Sequence, residues 1–111
     1  MAQSFIGESV AAGNAAYATI FTMPADAVGF LGNITASNTT GGALTITLSK
    51  EVGGTTFILS SADAIAANAT NSYSGGSTRR ITPVVLKSGE IFKAQGSGAG
   101  IIVTISGLQF S

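Results

Sequence analysis

The residues that decide the fold are ITPVVLKSGEIFKAQGSGAGIIVTISGLQF, which run from Ile81 to Phe110. Three short runs rich in β-branched residues, at 83–87, 90–95 and 101–106, are separated by glycine and serine. This pattern of short runs separated by glycine and serine is typical of consecutive antiparallel strands joined by tight turns. The stretch therefore predicts an architecture and contains no catalytic chemistry.

The last of these runs predicts a long strand that contains a bulge. Three apolar residues share one face, namely Ile101, Val103 and Ile105. Leu108 and Phe110 are out of step with them by one residue. One extra residue reverses side-chain parity, and glycine tolerates the backbone that a bulge requires. We therefore expect a bulge at Gly107 that keeps one apolar face inward to the end of the strand.

Alternating apolar and polar residues predict further strands. The clearest lies at 43–50, where Leu44, Ile46 and Leu48 point inward and the intervening threonines and serine point outward. Further strands are predicted at 17–23, 28–37 and 55–60. The predicted faces of the first two are Tyr17, Thr19, Phe21 and Met23, and Val28, Phe30, Gly32, Ile34 and Ala36. Residues 61–68 favour a helix by composition, but the segment is too short for a stable one.

Seven to eight short strands, with turn signals about every ten residues, predict an all-β protein. The expected fold is an antiparallel, jelly-roll-like β-sandwich formed by a single domain, residues 1–111. Residues 4–10 are consistent with either a first strand or a mobile arm. Residues 1–12 as a whole are therefore a candidate for an extended N-terminal arm.

The composition predicts a protein that associates with others. Charged residues make up 9% of the chain, against about 25% in typical soluble domains. The formal net charge is zero, so little electrostatic repulsion keeps copies apart. Balanced charge argues against nucleic-acid binding, which needs a basic surface. No window approaches the ~20 apolar residues of a membrane span.

Catalysis is not expected from this set of side chains. The chain has no histidine and no cysteine, which removes the commonest general base and thiolate chemistry. Its five acidic residues are all separated in sequence. We therefore expect no enzyme, no cofactor and no metal site.

Five residues are candidates for partner binding. Phe5, Ile6 and Val10 are the apolar residues with which an N-terminal arm would cover a neighbouring chain. Arg79 and Arg80 form the only adjacent pair of basic residues, and they suit a neighbouring subunit's carboxylate or an acidic glycan. The alternative for the arginines is a solvated strand start.

Five segments resemble small virion structural proteins of tailed bacteriophages. Residues 17–25 (YATIFTMPA) are similar to the Tyr-Thr-Val-Pro-Ala opening of that family. The other matching segments are the turn 37–42 (SNTTGG), the strand 44–48 (LTITL), 86–91 (LKSGEI) and 103–107 (VTISG). Within them, Ser88 and Glu90 replace the usual alanine and aspartate.

The resemblance implies a virion component that is made in the host cytoplasm. We predict a capsid decoration, or cement, protein that stabilises the shell by binding between capsid subunits. Its partners would be the major capsid protein and copies of itself. A trimer is preferred, because decoration proteins of this kind commonly occupy local three-fold positions.

Two other functions remain open. The first is a tail, collar or fibre-associated module of the same particle. The second is a carbohydrate-binding β-sandwich that attaches to the host surface. Sugars stack on exposed aromatic rings, and this chain has no tryptophan and only two tyrosines.

Overall fold

A computed structural model describes residues 2–111, which form ten strands without a helix. The strands are β1 (Gln3–Ala11), β2 (Gly13–Asn14), β3 (Ala18–Thr22), β4 (Val28–Asn38), β5 (Leu44–Val52), β6 (Thr55–Ile65), β7 (Thr70–Ser72), β8 (Val84–Leu86), β9 (Ile91–Gly96) and β10 (Ile101–Phe110). Met1 lies outside the described residues. No helix in residues 2–111 is long and apolar enough to cross a bilayer.

The strands form two five-stranded sheets that pack face to face. The first sheet has the order β1-β10-β4-β7, and β8 also pairs with β4. The second has the order β2-β9-β5-β6, and β3 also pairs with β9. Along the chain, six of the nine steps between successive strands change sheet, and only β5 and β6 are consecutive strands that pair directly as a hairpin. This is the jelly-roll arrangement, which confirms the predicted all-β sandwich.

The core lies between the two sheets. β5 contributes Ile46 and Leu48, which are fully buried, and Leu44 packs against them from the margin. The inward alternation predicted for this strand is therefore confirmed. On the other face Ser49 is also fully buried, between its cross-strand neighbours Ile58 and Lys93.

The bulge near Gly107 exists, but its extra residue belongs to the partner strand. Ser106 pairs with Asn33 and Gly107 pairs with Leu31, so Gly32 of β4 is the residue without a partner. β10 itself stays regular, because its pairing with β1 continues without a shift. The prediction that Leu108 and Phe110 return to the inner face is therefore wrong.

The same bulge reverses the predicted face of β4 on one side of Gly32. Ile34 and Ala36, which follow the bulge, are buried as predicted. Before the bulge, Leu31 takes the inner position. Phe30 and Val28 consequently lie on the outer face, opposite Leu108 and Phe110. The close approach of the strands requires glycine at 107, because a Cβ there would lie 2.0 Å from the carbonyl oxygen of Phe30.

Two other local predictions differ from the structure. In β3 the register shifts between Thr19 and Phe21, so Ile20 and Met23 are buried while Thr19 is exposed. Residues 61–65, which favour a helix by composition, instead continue β6. Pairing with β5 outweighs the weak intrinsic preference of so short a segment.

Candidate assembly surface

The outer face of the first sheet carries apolar side chains at one end. Cross-strand pairing places one residue from each of β1, β10, β4 and β8 in a single row, and directly opposed residues share a face. The adjacent row pairs a residue of β10 with one of β4. We call these six residues the apolar band: Phe5, Leu108, Phe30 and Val85 in the first row, and Phe110 and Val28 in the second.

The band is accessible to solvent. Phe5 is 87% exposed, Val85 is 54% exposed and Val28 is 46% exposed, while the other three residues are half-buried. The band contains no charged residue and holds three of the six phenylalanines of the chain. A contiguous exposed apolar surface of this kind is a candidate interaction site.

The other half of the same outer face is polar. Serine and threonine predominate in its rows, which also contain Ile102 and Asn33, and two pairs of hydroxyls bond across the strands. Ser9 Oγ lies 2.9 Å from Thr104 Oγ1, and Ser37 Oγ lies 2.8 Å from Thr70 Oγ1. The band is therefore a bounded patch and not the general character of this sheet.

An open strand edge adjoins the band. β1 is the last strand of its sheet, and its nine residues pair with β10 in an unbroken register. The corresponding edge of the second sheet, β6, is interrupted by register shifts against β5. Bulges blunt an edge against pairing with other chains, whereas a regular edge remains open to it. The regular edge is the one that carries Phe5.

The three apolar residues predicted to contact a partner through the N-terminal segment lie on different faces of β1. Residues 3–11 pair along β10 of their own chain. Phe5 points outward and belongs to the band, but Ile6 is 4% exposed and Val10 packs against the core. Phe5 is therefore the residue of the three whose side chain is free to meet a partner.

The two arginines contact their own chain. Arg79 Nε donates to Asp63 Oδ2 at 2.9 Å, and Arg80 Nε donates to the carbonyl oxygen of Thr82 at 2.9 Å. Both residues remain exposed. Their predicted contact with a neighbouring subunit stays a prediction.

Asp63 also connects the two sheets. Its Oδ2 atom accepts hydrogen bonds from Tyr73 Oη at 2.6 Å and Asn71 Nδ2 at 3.0 Å, in addition to Arg79. Tyr73 is fully buried. Burial, followed by the bond to Asp63, raises the pKa of the Tyr73 hydroxyl, which keeps it protonated as a donor. The Asp63 carboxylate of β6 thereby links the second sheet to β7 and to Tyr73, which follows β7.

A second polar contact joins the sheets near the band. Lys50 Nζ of β5 lies 2.9 Å from Glu90 Oε1 and donates to the carbonyl oxygen of Val85 at 2.8 Å. The backbone N–H of Lys87 also donates to Glu90 Oε1, at 3.0 Å. The bonds from Lys50 and from this N–H lower the pKa of Glu90.

The Glu90 contact predicts how stability depends on pH. A lowered pKa in the folded state adds stability above the ordinary value of 4.5, and this contribution is lost as pH falls through the folded-state pKa. No side chain type in the protein has a usual pKa between about 5 and 8. We expect a flat melting temperature from pH 8 to about 5 and a fall below about pH 4.5.

Glu90→Gln should reduce the fall in melting temperature at acidic pH, measured by thermal unfolding at a series of pH values. The exposed Glu8→Gln is the matched control and should keep the wild-type fall. A sharp drop between pH 8 and 5 in the wild type would show that a different buried group titrates.

One depression opens on the outer face of the second sheet, with a volume of about 270 Å³. Its lining residues are uncharged: Ala15, Thr45, Thr47, Gln95, Gly96 and Ser97. Within residues 2–111, no three acidic side chains cluster closely enough to hold a metal ion. The depression therefore lacks the charged groups of a catalytic or metal site, and the apolar band remains the strongest candidate surface.

No protein-family model matches the chain, and no curated protein matches it. One similar solved structure belongs to Bacillus endospore appendages, described as a family of disulfide-linked pili. The identity is 16% and the TM-score 0.42, over 99% of this chain and 87% of that one. This chain has no cysteine, so it cannot form such disulfide links.

Two further similar structures are of a pentameric capsid protein isolated from metagenomic phage sequences. One has 21% identity and a TM-score of 0.37, over 95% of this chain and 59% of that one. The other has 24% identity and a TM-score of 0.34, over 95% and 60%. The chain thus spans about 60% of the length of these capsid chains. At these identities and TM-scores the likeness carries no argument about function.

Proposed function

We propose that the chain is a structural protein of a tailed-phage virion, which decorates the capsid and has no catalytic activity. The observation that supports this most is the apolar band. An uncharged apolar patch on a small sandwich favours association, and an assembly that covers it removes the patch from water. The low charge of the chain and the regular edge at β1 also favour association with other chains. The partners are copies of the chain itself and the major capsid protein.

A host-surface carbohydrate-binding role has less support. Sugar recognition relies on exposed aromatic platforms. Tyr73 is fully buried and engaged with Asp63, and Tyr17 is 37% exposed. The two most exposed phenylalanines, Phe5 and Phe57, lie in different sheets, and the band around Phe5 contains no charged side chain to bond sugar hydroxyls.

Quantitative mass spectrometry of purified particles tests the proposal. A decoration protein should be present in hundreds of copies and at a fixed ratio to the major capsid protein. A few copies per particle would favour the tail, collar or fibre module, and absence from particles would contradict a virion role. The number of copies in the free oligomer, for which the family resemblance implies three, is a separate measurement.

A further inference from the structure

We infer that the apolar band of one copy packs against the apolar band of a second copy, across a two-fold axis. This inference rests on the proposed function, since it names the partner of the surface that supports it. It differs from the trimer that the resemblance implies, because a patch that contacts itself makes an isologous, pairwise interface.

The first argument is the size of the surface. From the exposed fractions of its six residues, the band offers roughly 400 Å² per copy, given the 150–250 Å² of an aromatic side chain. Two bands with their margins bury on the order of 1,000 Å², which is near the lower limit of a specific interface. The expected dimer is therefore weak in dilute solution and is strengthened when copies are concentrated on a particle.

The second argument is charge. A band without charged residues provides no electrostatic complementarity with which to select a charged partner. It also provides no repulsion against a copy of itself, so self-pairing costs no desolvated ion. The outer faces of two sheets can stack about 10 Å apart, as sheets do within sandwiches.

The third argument is position. Val85 lies in β8, which is three residues long, and Phe5 lies in the terminal strand β1. The row thus extends across the sheet from one side to the other, and its two ends are the most exposed residues of the row. A partner face must reach both ends to cover it, which a second copy of the same row does by symmetry.

Light scattering and sedimentation on the pure protein, from about 1 μM to 1 mM, test the inference. The wild type should approach the mass of two chains as concentration rises. The double variant Phe5→Ser/Val85→Ser should raise the Kd at least about tenfold. Because both side chains are exposed, its melting temperature at low concentration should stay close to that of the wild type.

The matched control is Ser9→Ala/Thr104→Ala, on the polar half of the same face. It removes both members of one hydroxyl pair and should leave the dimer unchanged. A mass of three chains, a monomer at every concentration, or a dimer unaffected by Phe5→Ser/Val85→Ser would overturn the inference.

The outcomes separate this inference from the proposed function. If the wild type is monomeric but is abundant in virions, the virion role stands and another chain covers the band. If the wild type dimerises through the band but is absent from particles, the interface stands and the virion role fails.

Discussion

Replacing Ile46 with alanine is expected to lower the free energy of unfolding by about 2–5 kcal/mol, because it removes buried methyl and methylene groups and leaves a cavity. Ile46 is fully buried in β5, the strand that pairs with both β6 and β9. Its neighbours on that face come from both sheets, and close-packed surroundings relax only in part. Urea unfolding followed by circular dichroism measures the loss.

Thr45→Ala is the matched control for this substitution. Thr45 is the preceding residue on the outer face and is half-buried, so its cost should be below about 1 kcal/mol. Thr47 is less suitable, because its hydroxyl accepts a hydrogen bond from the N–H of Ala62 at 3.0 Å. Equal losses at Ile46 and Thr45 would show that the outer face of β5 is covered in solution.

Replacing Asp63 with alanine is the second change with a large expected effect. It leaves the buried Tyr73 hydroxyl without its acceptor and removes the bonds from Asn71 and Arg79. An unsatisfied buried donor costs about 1–3 kcal/mol, so we expect a loss of that size in urea unfolding. The loss should be confined to stability, since Asp63 lies outside the band.

A double-mutant cycle separates the buried bond from the exposed ion pair. Tyr73→Phe removes the donor, so Asp63→Ala in that background should cost less than it does in the wild type. Additive losses would show that the Tyr73 bond contributes little and that Arg79 or Asn71 carries the effect. The exposed Glu8→Ala should change stability by no more than about 0.5 kcal/mol.

The inner face of β5 was predictable because its pattern is local. Ile46 and Leu48 alternate with polar residues, and that period of two is sufficient to place them on one face. The low charge and the missing histidine and cysteine were equally direct, and the expectation that no enzyme is present rests on them.

The apolar band was not predicted, although the sequence contains a signal for it. Phe5-Ile6, Phe30-Leu31 and Val84-Val85 are adjacent apolar pairs. In a strand, adjacent residues lie on opposite faces, so each pair places one apolar side chain outside. Adjacent pairs are equally compatible with strands buried on both faces, and the sequence alone does not choose between the two.

The sequence by itself determined an all-β sandwich, the core strand β5 and a surface with little charge, because side-chain alternation and composition depend on neighbouring residues alone. The tertiary structure decided which apolar residues at the end of the first sheet face water. That outcome depends on whether the extra residue of the bulge lies in β10 or in β4, and the two choices reverse opposite strands. Pairing with both β1 and β4 keeps β10 regular and places the extra residue at Gly32. Side-chain parity there is a property of the paired strands together, and that is why only the assembled sheet shows Phe30, Leu108 and their neighbours as an exposed band.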